Sequence, residues 1–222
     1  MPRIIKSAKG TFTTSTVTID SSGRVVAAAT GSAGGANLIP TKLVTTASPG
    51  TFTATNNANF GVAYLYSGGG GGGAGGNHPG NLAGPGVEGA VGAMGVFGFP
   101  ISGGESHNFN IGAAGNAGSP GGTGNPGGAG GAGGATTLTN IGTANGGGGG
   151  AGGPNTGQNA PNATASAGSA PGATLASTTA AEKKIFSGGV EYGAFGDHGN
   201  RPGNAGSAGA AGAMMIYENI GE

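Results

Sequence analysis

Apolar and polar side chains alternate along the first third of the chain, which is the pattern of half-buried β-strands. Val17 and Ile19 fall on one face of the first such run, and the threonines between them fall on the other. Residues 21–23 supply a short turn containing glycine, and residues 24–28 return as a second β-branched run. The same alternation recurs in 51–55 and 61–66. The pattern therefore predicts two hairpins that form one small sheet.

Further along the chain the spacing changes from two residues to three, and glycine is the residue that repeats. Glycine occupies every third position from 86 to 98, from 193 to 199 and from 203 to 212. The longest run holds eight glycines in one register, namely Gly112, Gly115, Gly118, Gly121, Gly124, Gly127, Gly130 and Gly133. A left-handed extended helix has three residues per turn. Glycine at that spacing forms one bare edge along the helix, so we expect these eight glycines to pack against neighbouring backbones.

Such a helix has no internal hydrogen bonds, so its buried amide and carbonyl groups must bond to neighbouring segments. The expected fold class is therefore mostly β and irregular, with no α-helix of note. A small N-terminal β-sheet of hairpins is followed by a bundle of polyglycine II-type helices with short strands. Each helix rises about 3.1 Å per residue. About five or six of them, stacked antiparallel, would form a compact rod or slab.

The glycine runs are interrupted by short segments with the composition of strands. Residues 101–111 are predicted to form a turn and then an alternating strand, and residues 136–141 a further short strand. The apolar residues 213–218 predict a terminal strand after the last glycine run. Residues 154–187 are the longest stretch without a period, and we expect them to be either an exposed loop system or locally mobile.

Glycine supplies 57 of the 222 residues, and its distribution divides the chain. Seven of these glycines lie in residues 1–66, whereas fifty lie in residues 67–222. We therefore expect an N-terminal β region for anchoring or oligomerisation at 1–66 and a glycine-rich polyglycine II domain at 67–222. Two other classes of glycine-rich chain fit less well. Collagen requires more proline than the 12 residues present here, and a flexible glycine-rich linker would not keep its glycines in one register.

Charged side chains are sparse, with eight basic and eight acidic residues in the whole chain. No cluster of Lys and Arg with interleaved aromatic residues is present, so no nucleic-acid binding is expected. No apolar run approaches the roughly 20 residues that span a bilayer, so we expect no membrane insertion. Residues 1–6 are not followed by the apolar stretch of a secretory signal peptide.

The sequence offers little of the chemistry that enzymes use. Its three histidines lie far apart, and it contains no cysteine. Neither a Ser-His-Asp set nor a phosphate-binding loop before a helix is present, so we expect no enzyme activity, no cofactor and no metal. The rare aromatic residues Phe97, Phe99, Tyr192 and Phe195 have two interpretations. They form either an exposed binding tip, or the small apolar core or a subunit interface.

Several motifs occur in an order that resembles the glycine-rich domains of bacteriophage tail fibres and adhesins. The motifs are Val62–Tyr66 before the run 68–76, Phe109–Gly112 opening triplets, Gly133–Leu138, Ala144–Gly150 and the ending Gly212–Tyr217. The resemblance covers residues 60–220. It implies a sandwich of polyglycine II helices whose loops at the far end contact the host surface.

The resemblance implies a virion protein that is assembled in the host cytoplasm. In one placement it is a short fibre or adhesin, with residues 1–66 anchoring it to other virion proteins and Val17, Ile19, Arg24 and Val25 as candidate anchor residues. The host-contact candidates are Phe97, Phe99, Tyr192, Phe195, His198 and Arg201, and the ligand is a host-surface glycan or protein.

In a second placement it is a capsid decoration or head fibre protein. An extracellular filament or matrix protein is a third class. Both virion placements imply a homo-oligomer, a trimer by analogy with phage fibres.

Overall fold

The computed structural model describes residues 15–19, 25–30, 38–80, 83–156, 164–178, 192–199 and 203–220. Within these ranges the chain forms eleven strands and no α-helix, and no helix is present that is long and apolar enough to cross a membrane. The strands are β1 Ser15–Ile19, β2 Val25–Thr30, β3 Leu38–Val44, β4 Pro49–Thr53, β5 Ala58–Tyr66, β6 Met94–Pro100, β7 Ser106–Asn110, β8 Thr136–Leu138, β9 Gly142–Ala144, β10 Leu175–Ser177 and β11 Ala213–Ile220. The predicted fold class is confirmed.

Two compact units divide the chain, Met1–Asn37 and Leu38–Glu222. In the first unit, β1 and β2 pair as an antiparallel hairpin with Thr18 opposite Ala27. The first predicted hairpin is therefore confirmed.

This division differs from the one that the glycine content suggests. Residues 38–66 are poor in glycine, yet they belong to the second unit because their strands pair with strands from the glycine-rich region. β3 and β5 both pair with β11, and β4 pairs with β7. Glycine content reports on local backbone packing, whereas the unit boundary depends on which distant strands share hydrogen bonds.

Two antiparallel sheets form a sandwich in the second unit. The larger sheet has the order β10-β6-β5-β11-β3, and the smaller has the order β4-β7-β8-β9. The predicted pairing of 51–55 with 61–66 is wrong, since β4 lies in the smaller sheet and β5 in the larger. Between them, Thr55 donates from its amide and its hydroxyl to the Glu218 carboxylate at 2.9 and 2.8 Å. These bonds hold the chain where it crosses from one sheet to the other.

A small apolar core fills the space between the two sheets. Its largest members come from both sheets and from the residues that directly follow β6 and β7: Phe52, Leu65, Phe97, Phe99, Ile101, Phe109, Ile111, Leu138, Met214 and Ile216. Alanines such as Ala63 and Ala144 complete it where the sheets approach closely. The core contains few large side chains, and their burial stabilises the strands of the two sheets. The glycine region depends instead on backbone hydrogen bonds.

Seven glycine-rich segments extend from the sandwich, and their backbone hydrogen bonds join one segment to another. The segments are g1 (68–77), g2 (84–92), g3 (112–121), g4 (127–134), g5 (146–153), g6 (193–199) and g7 (204–212). The amides of Gly68, Gly69 and Gly70 in g1 donate in turn to carbonyls of g4, g7 and g2, each at 2.9 Å. The carbonyls of the same three residues accept from g5, g3 and g6. This order of partners repeats every three residues along g1. Three segments accept from its amides and three others donate to its carbonyls, so g1 is surrounded by six segments.

The six outer segments form a closed ring in the order g2, g5, g4, g3, g7 and g6, with hydrogen bonds between each neighbouring pair. Neighbours in the ring run antiparallel to one another. Consequently g3, g5 and g6 run parallel to g1, and g2, g4 and g7 run antiparallel to it. The bundle holds seven segments rather than the expected five or six, because g1 is bare on all three edges and is enclosed on every side.

Steric contacts explain why g1 is almost pure glycine. A Cβ on Gly70 would stand 1.9 Å from the carbonyl oxygen of Gly148 in g5, and one on Gly71 would stand 2.0 Å from that of Asn116 in g3. Successive positions thus face different neighbours, and each meets backbone that cannot move aside. In g2 and g7 a Cβ on the repeating glycines would meet carbonyls of g1, as at Gly89, whereas in g3 and g6 it would first meet a carbonyl of the next outer segment, as at Gly115. One edge of each of these segments therefore needs glycine, which produces the triplets.

Part of the stretch 154–187 packs against the bundle instead of forming a loop. The Gly148 amide donates to the Ser166 carbonyl at 2.8 Å, and the Gly168 amide donates to the Val91 carbonyl at 2.9 Å. β10 then pairs with β6 at the edge of the larger sheet. Residues 157–163 and 179–187 lie outside the described residues.

Candidate functional site

The two ends of the second unit differ in structure. At one end of the bundle, glycine segments and strands continue into one another: β5 into g1, g2 into β6, β7 into g3, g4 into β8, β9 into g5 and g7 into β11. The other ends of the segments are joined by loops, and we call this loop end the tip. The opposite end of the sandwich carries the turns 54–57, 101–105 and 139–141, and we call it the base.

The tip brings together parts of four connections that are distant in sequence. Its described residues include Asn77, His78 and Pro79 at the end of g1, residues 122–126 between g3 and g4, Pro154, Asn155 and Thr156 after g5, and Gly203 and Asn204 at the start of g7. Most of these residues are exposed or half-buried. The described tip residues carry amide, hydroxyl and imidazole groups, and none of them is Lys, Arg, Asp or Glu.

Asn77 connects the end of g1 to the turn between g3 and g4. Its amide donates to the Asn125 carbonyl at 3.0 Å, and its carbonyl accepts from the Gly124 amide at 2.9 Å. Its side-chain amide donates to the Gly121 carbonyl at 3.2 Å. The innermost segment of the bundle therefore fixes the position of a loop at the tip.

Residues 122–125 form a tight turn at the tip. The Asn125 amide donates to the Gly122 carbonyl at 2.9 Å, and Gly124 has a φ of 79°. A positive φ at the third position is typical of a type II turn and favours glycine there. The Asn155 side-chain amide donates to the Gly124 carbonyl from the next connection. Thr123 lies in the middle of the turn and is exposed.

The sequence did not single out Asn77, Thr123 or Asn155. The signal that marks them is the pairing of Asn or Pro with the end of a glycine run, as in Asn77–Pro79 and Asn125–Pro126. Asn, Pro and Gly are the residues that favour turns. Four such interruptions occur along the glycine-rich region, but only the alternating directions of the segments bring them to one end.

Phe97 and Phe99 are not contact residues, which corrects one of the two interpretations offered for them. Both belong to β6, and they are only 4% and 3% exposed. Phe97 lies over Gly142, and Phe99 packs on Gly61 and edge-on against His107. They are in the core because glycines opposite them leave room for the rings.

The other host-contact candidates do not form one site in the described residues. Tyr192 is half-buried, with its ring centroid 5.8 Å from that of Tyr66, near the sheets rather than at the tip. Phe195 is 40% exposed on g6. His198 lies on the side of the bundle, with its Nδ1 3.6 Å from the Glu88 carboxylate. Arg201 lies outside the described residues.

Seven of the eight glycines predicted to pack do face backbone. A Cβ on Gly112, Gly115, Gly118, Gly121, Gly127, Gly130 or Gly133 would stand 2.0 to 2.3 Å from a carbonyl oxygen. Gly124 is the exception, because nothing lies within 4 Å of its Cβ position and its φ is 79°. It belongs to the tip turn, where backbone conformation and not packing requires glycine.

The candidate anchor residues lie in or next to the first unit's hairpin. Val17 faces Ala28 in the β-ladder, and Ile19 pairs with Val25. Arg24 lies outside the described residues. The second unit begins at Leu38, which pairs with Asn219 near the base end of β11.

No group of three or more His, Cys, Asp or Glu side chains in the described part of the chain is placed to hold a metal ion. Burial, together with the nearby Tyr64, Tyr217 and Tyr192, raises the pKa of Tyr66 well above its usual value. Its hydroxyl is buried without a hydrogen-bond partner among the described residues. A neutral, inaccessible phenol has the role of a packing group.

No protein-family model matches the chain, and a search of curated proteins finds no relative.

Proposed function

We propose that this protein is a structural component of a bacteriophage particle, a short fibre or adhesin that displays the tip toward the host surface. The observation that carries the proposal is the separation of the two ends of the second unit. The chain enters this unit at the base, at Leu38, whereas parts of four connections are exposed together at the tip. Loops held by a rigid scaffold are where binding residues concentrate in many proteins.

The edge strand β3, which runs from the base toward the bundle, supports attachment to the particle and to further copies of the chain. Leu38, Ile39 and Leu43 of the edge strand β3 are 40%, 45% and 54% exposed. Exposed apolar side chains grouped on one strand favour a protein contact. We place the contact with other virion proteins, and the contacts of a homotrimer, at this strand and in residues 1–37. A monomer in light scattering at micromolar concentration would contradict the trimer.

A capsid decoration or head fibre protein is the second candidate function. The same exposed residues of β3 suit docking onto a capsid subunit, and the tip would then face solvent. The two candidates differ in where the protein lies and in how many copies a particle carries.

Immunogold electron microscopy of particles that carry the protein tests both placements. One antibody is raised against the tip turn and the other against the base turn at 101–105. An adhesin gives label only at the end of a tail or fibre, with the tip antibody outermost. Label over the whole head indicates a decoration protein, and label on cell-surface material but not on particles indicates a filament or matrix protein.

A further inference from the structure

The turn at residues 122–125 is braced before any ligand arrives. Asn77 fixes it through three hydrogen bonds, two to Gly124 and Asn125 and one to the preceding Gly121. Asn155 holds it from the other side through the Gly124 carbonyl. Because the turn backbone is already ordered, a ligand that contacts it does not bear the entropic cost of ordering a loop.

The braced turn leaves two polar side chains directed away from these bonds. Thr123 and Asn125 are both exposed, and neither side chain makes a hydrogen bond to another described residue. A hydroxyl and a carboxamide can each donate and accept hydrogen bonds. The turn therefore presents two uncharged groups of mixed polarity in a fixed geometry.

This chemistry favours one class of ligand. The described tip residues include no carboxylate, ammonium or guanidinium group, so they offer no charge-assisted hydrogen bonds to an ionic ligand. They also include none of the Trp, Tyr or Arg anchors on which protein interfaces depend. Sugar hydroxyls donate and accept in the same way as Thr123 and Asn125.

We propose that the turn 122–125 is the recognition element of the tip and that it binds an uncharged glycan through Thr123 and Asn125. This inference rests on the proposed function, in which the tip faces a host surface, and adds the binding residues and the ligand class. Gly124 and Asn77 are positioning residues, since they act by holding the turn.

The experiment measures binding of the full chain to an array of immobilised oligosaccharides with neutral, sialylated and sulfated members. Thr123→Val removes the hydroxyl at nearly constant shape, and Thr139→Val is the matched control in an exposed turn at the base. We expect binding to one or more neutral glycans, weakened about ten-fold or more in Thr123→Val, which corresponds to about 1.4 kcal/mol. Thr139→Val should bind as the unmodified chain does. Gly124→Ala, which strains a residue with a φ of 79° in open space, should weaken binding while the bundle stays folded.

Three outcomes would overturn the inference: no binding to any neutral glycan, binding only to anionic glycans, or equal binding by Thr123→Val and Thr139→Val. Binding to host cells that survives removal of their glycans would indicate a protein ligand and would also overturn it. Competition for particle adsorption by the purified chain separates this inference from the proposed function. Adsorption blocked without glycan binding refutes only the glycan, whereas glycan binding without any effect on adsorption refutes only the adhesin.

Discussion

The carbonyl oxygen of Gly71 occupies the space that any side chain at Gly130 would need. A Cβ on Gly130 would stand 2.0 Å from that oxygen, closer than real side-chain carbons approach. Each residue also donates its amide to another segment, Gly130 to Gly150 at 2.8 Å and Gly71 to Gly131 at 2.9 Å. Backbone thus packs directly on backbone between g4 and g1. The glycine period in the sequence is a requirement of that contact.

Replacing a glycine in g1 should disrupt the bundle. A Cβ in Gly71→Ala would stand 2.0 Å from the Asn116 carbonyl oxygen, so we expect a loss of about 3 kcal/mol or more in the free energy of unfolding. Gly122→Ala is the matched control, because its Cβ would have only the Asn125 side chain near it, at 3.5 Å. Its effect should stay within about 0.5 kcal/mol. Urea unfolding measures both, and equal losses would refute the steric explanation.

Glu218 should contribute to the stability of the sandwich through its two bonds to Thr55. The side chain is fully buried, and its two oxygens accept from the amide and the hydroxyl of Thr55. In Glu218→Gln the amide oxygen can still accept from the Thr55 amide and the NH2 group can donate to the hydroxyl oxygen, but both bonds lose the charge of the carboxylate, so we expect a loss of about 1–2 kcal/mol. Glu105→Gln, in an exposed turn, should cost less than about 1 kcal/mol. Denaturant unfolding at neutral pH compares them, and a larger loss for Glu105→Gln would contradict this assignment.

Stability should fall in alkali because of Tyr66. Burial, with smaller contributions from Tyr64, Tyr217 and Tyr192, raises the pKa of Tyr66 above the ordinary value of 10.0 that applies in the unfolded chain. The folded state therefore holds this proton more tightly. The free energy of unfolding should be insensitive to Tyr66 below pH 10.0 and should decrease as the pH rises above it.

Tyr66→Phe provides the control for this pH dependence. The variant should lose most of the alkaline slope and retain the part due to Tyr217, whose pKa burial and Tyr64 also raise. At neutral pH it should be as stable as the unmodified chain or more so, since the hydroxyl has no hydrogen-bond partner among the described residues. Unfolding curves on both sides of pH 10.0 measure this. An unchanged alkaline slope would assign the effect to other groups.

Much of the fold could be predicted from local patterns, but the sheet partners could not. The alternation around Val17 and the triplets from Gly112 to Gly133 each reflect a local geometry that the structure reproduces. Local pattern predicts that β4 pairs with β5, but the pairing of a strand depends on distant partners, which are β7 for β4 and both β6 and β11 for β5. A short connection between two strands does not show that they share a sheet.

The candidate site was predicted less well, for a different reason. The rarity of aromatic residues marks them as contact candidates, but Phe97 and Phe99 fill the core opposite glycines. Gly124 keeps the register of the packing glycines, although its φ places it in a turn. Spacing alone cannot separate a glycine needed for packing from one needed for backbone conformation.

Asn77→Ala should loosen the tip without affecting the bundle. The variant loses the side-chain bond to the Gly121 carbonyl but keeps both backbone bonds of residue 77. Loss of one hydrogen bond costs about 1 kcal/mol, which raises the fraction of molecules in which the turn 122–125 is locally open about five-fold. Subtilisin should therefore cut this turn about five times faster, with an unchanged midpoint of thermal unfolding. Asn116→Ala, exposed on g3, is the control, and an equal increase in that variant would contradict the role of Asn77.

Residue-resolved amide hydrogen exchange of g1 tests the central claim most directly. Every amide from Gly68 to Gly76 donates to a carbonyl of another segment, and the Asn77 amide donates to a carbonyl of the tip turn, at 2.8 to 3.0 Å; residues 68–76 are buried. We predict that these ten consecutive amides are among the slowest to exchange in the protein, although the sequence there is almost entirely glycine. Exchange of this run at the rate of an unfolded glycine peptide would contradict the enclosed bundle and the fixed tip that depends on it.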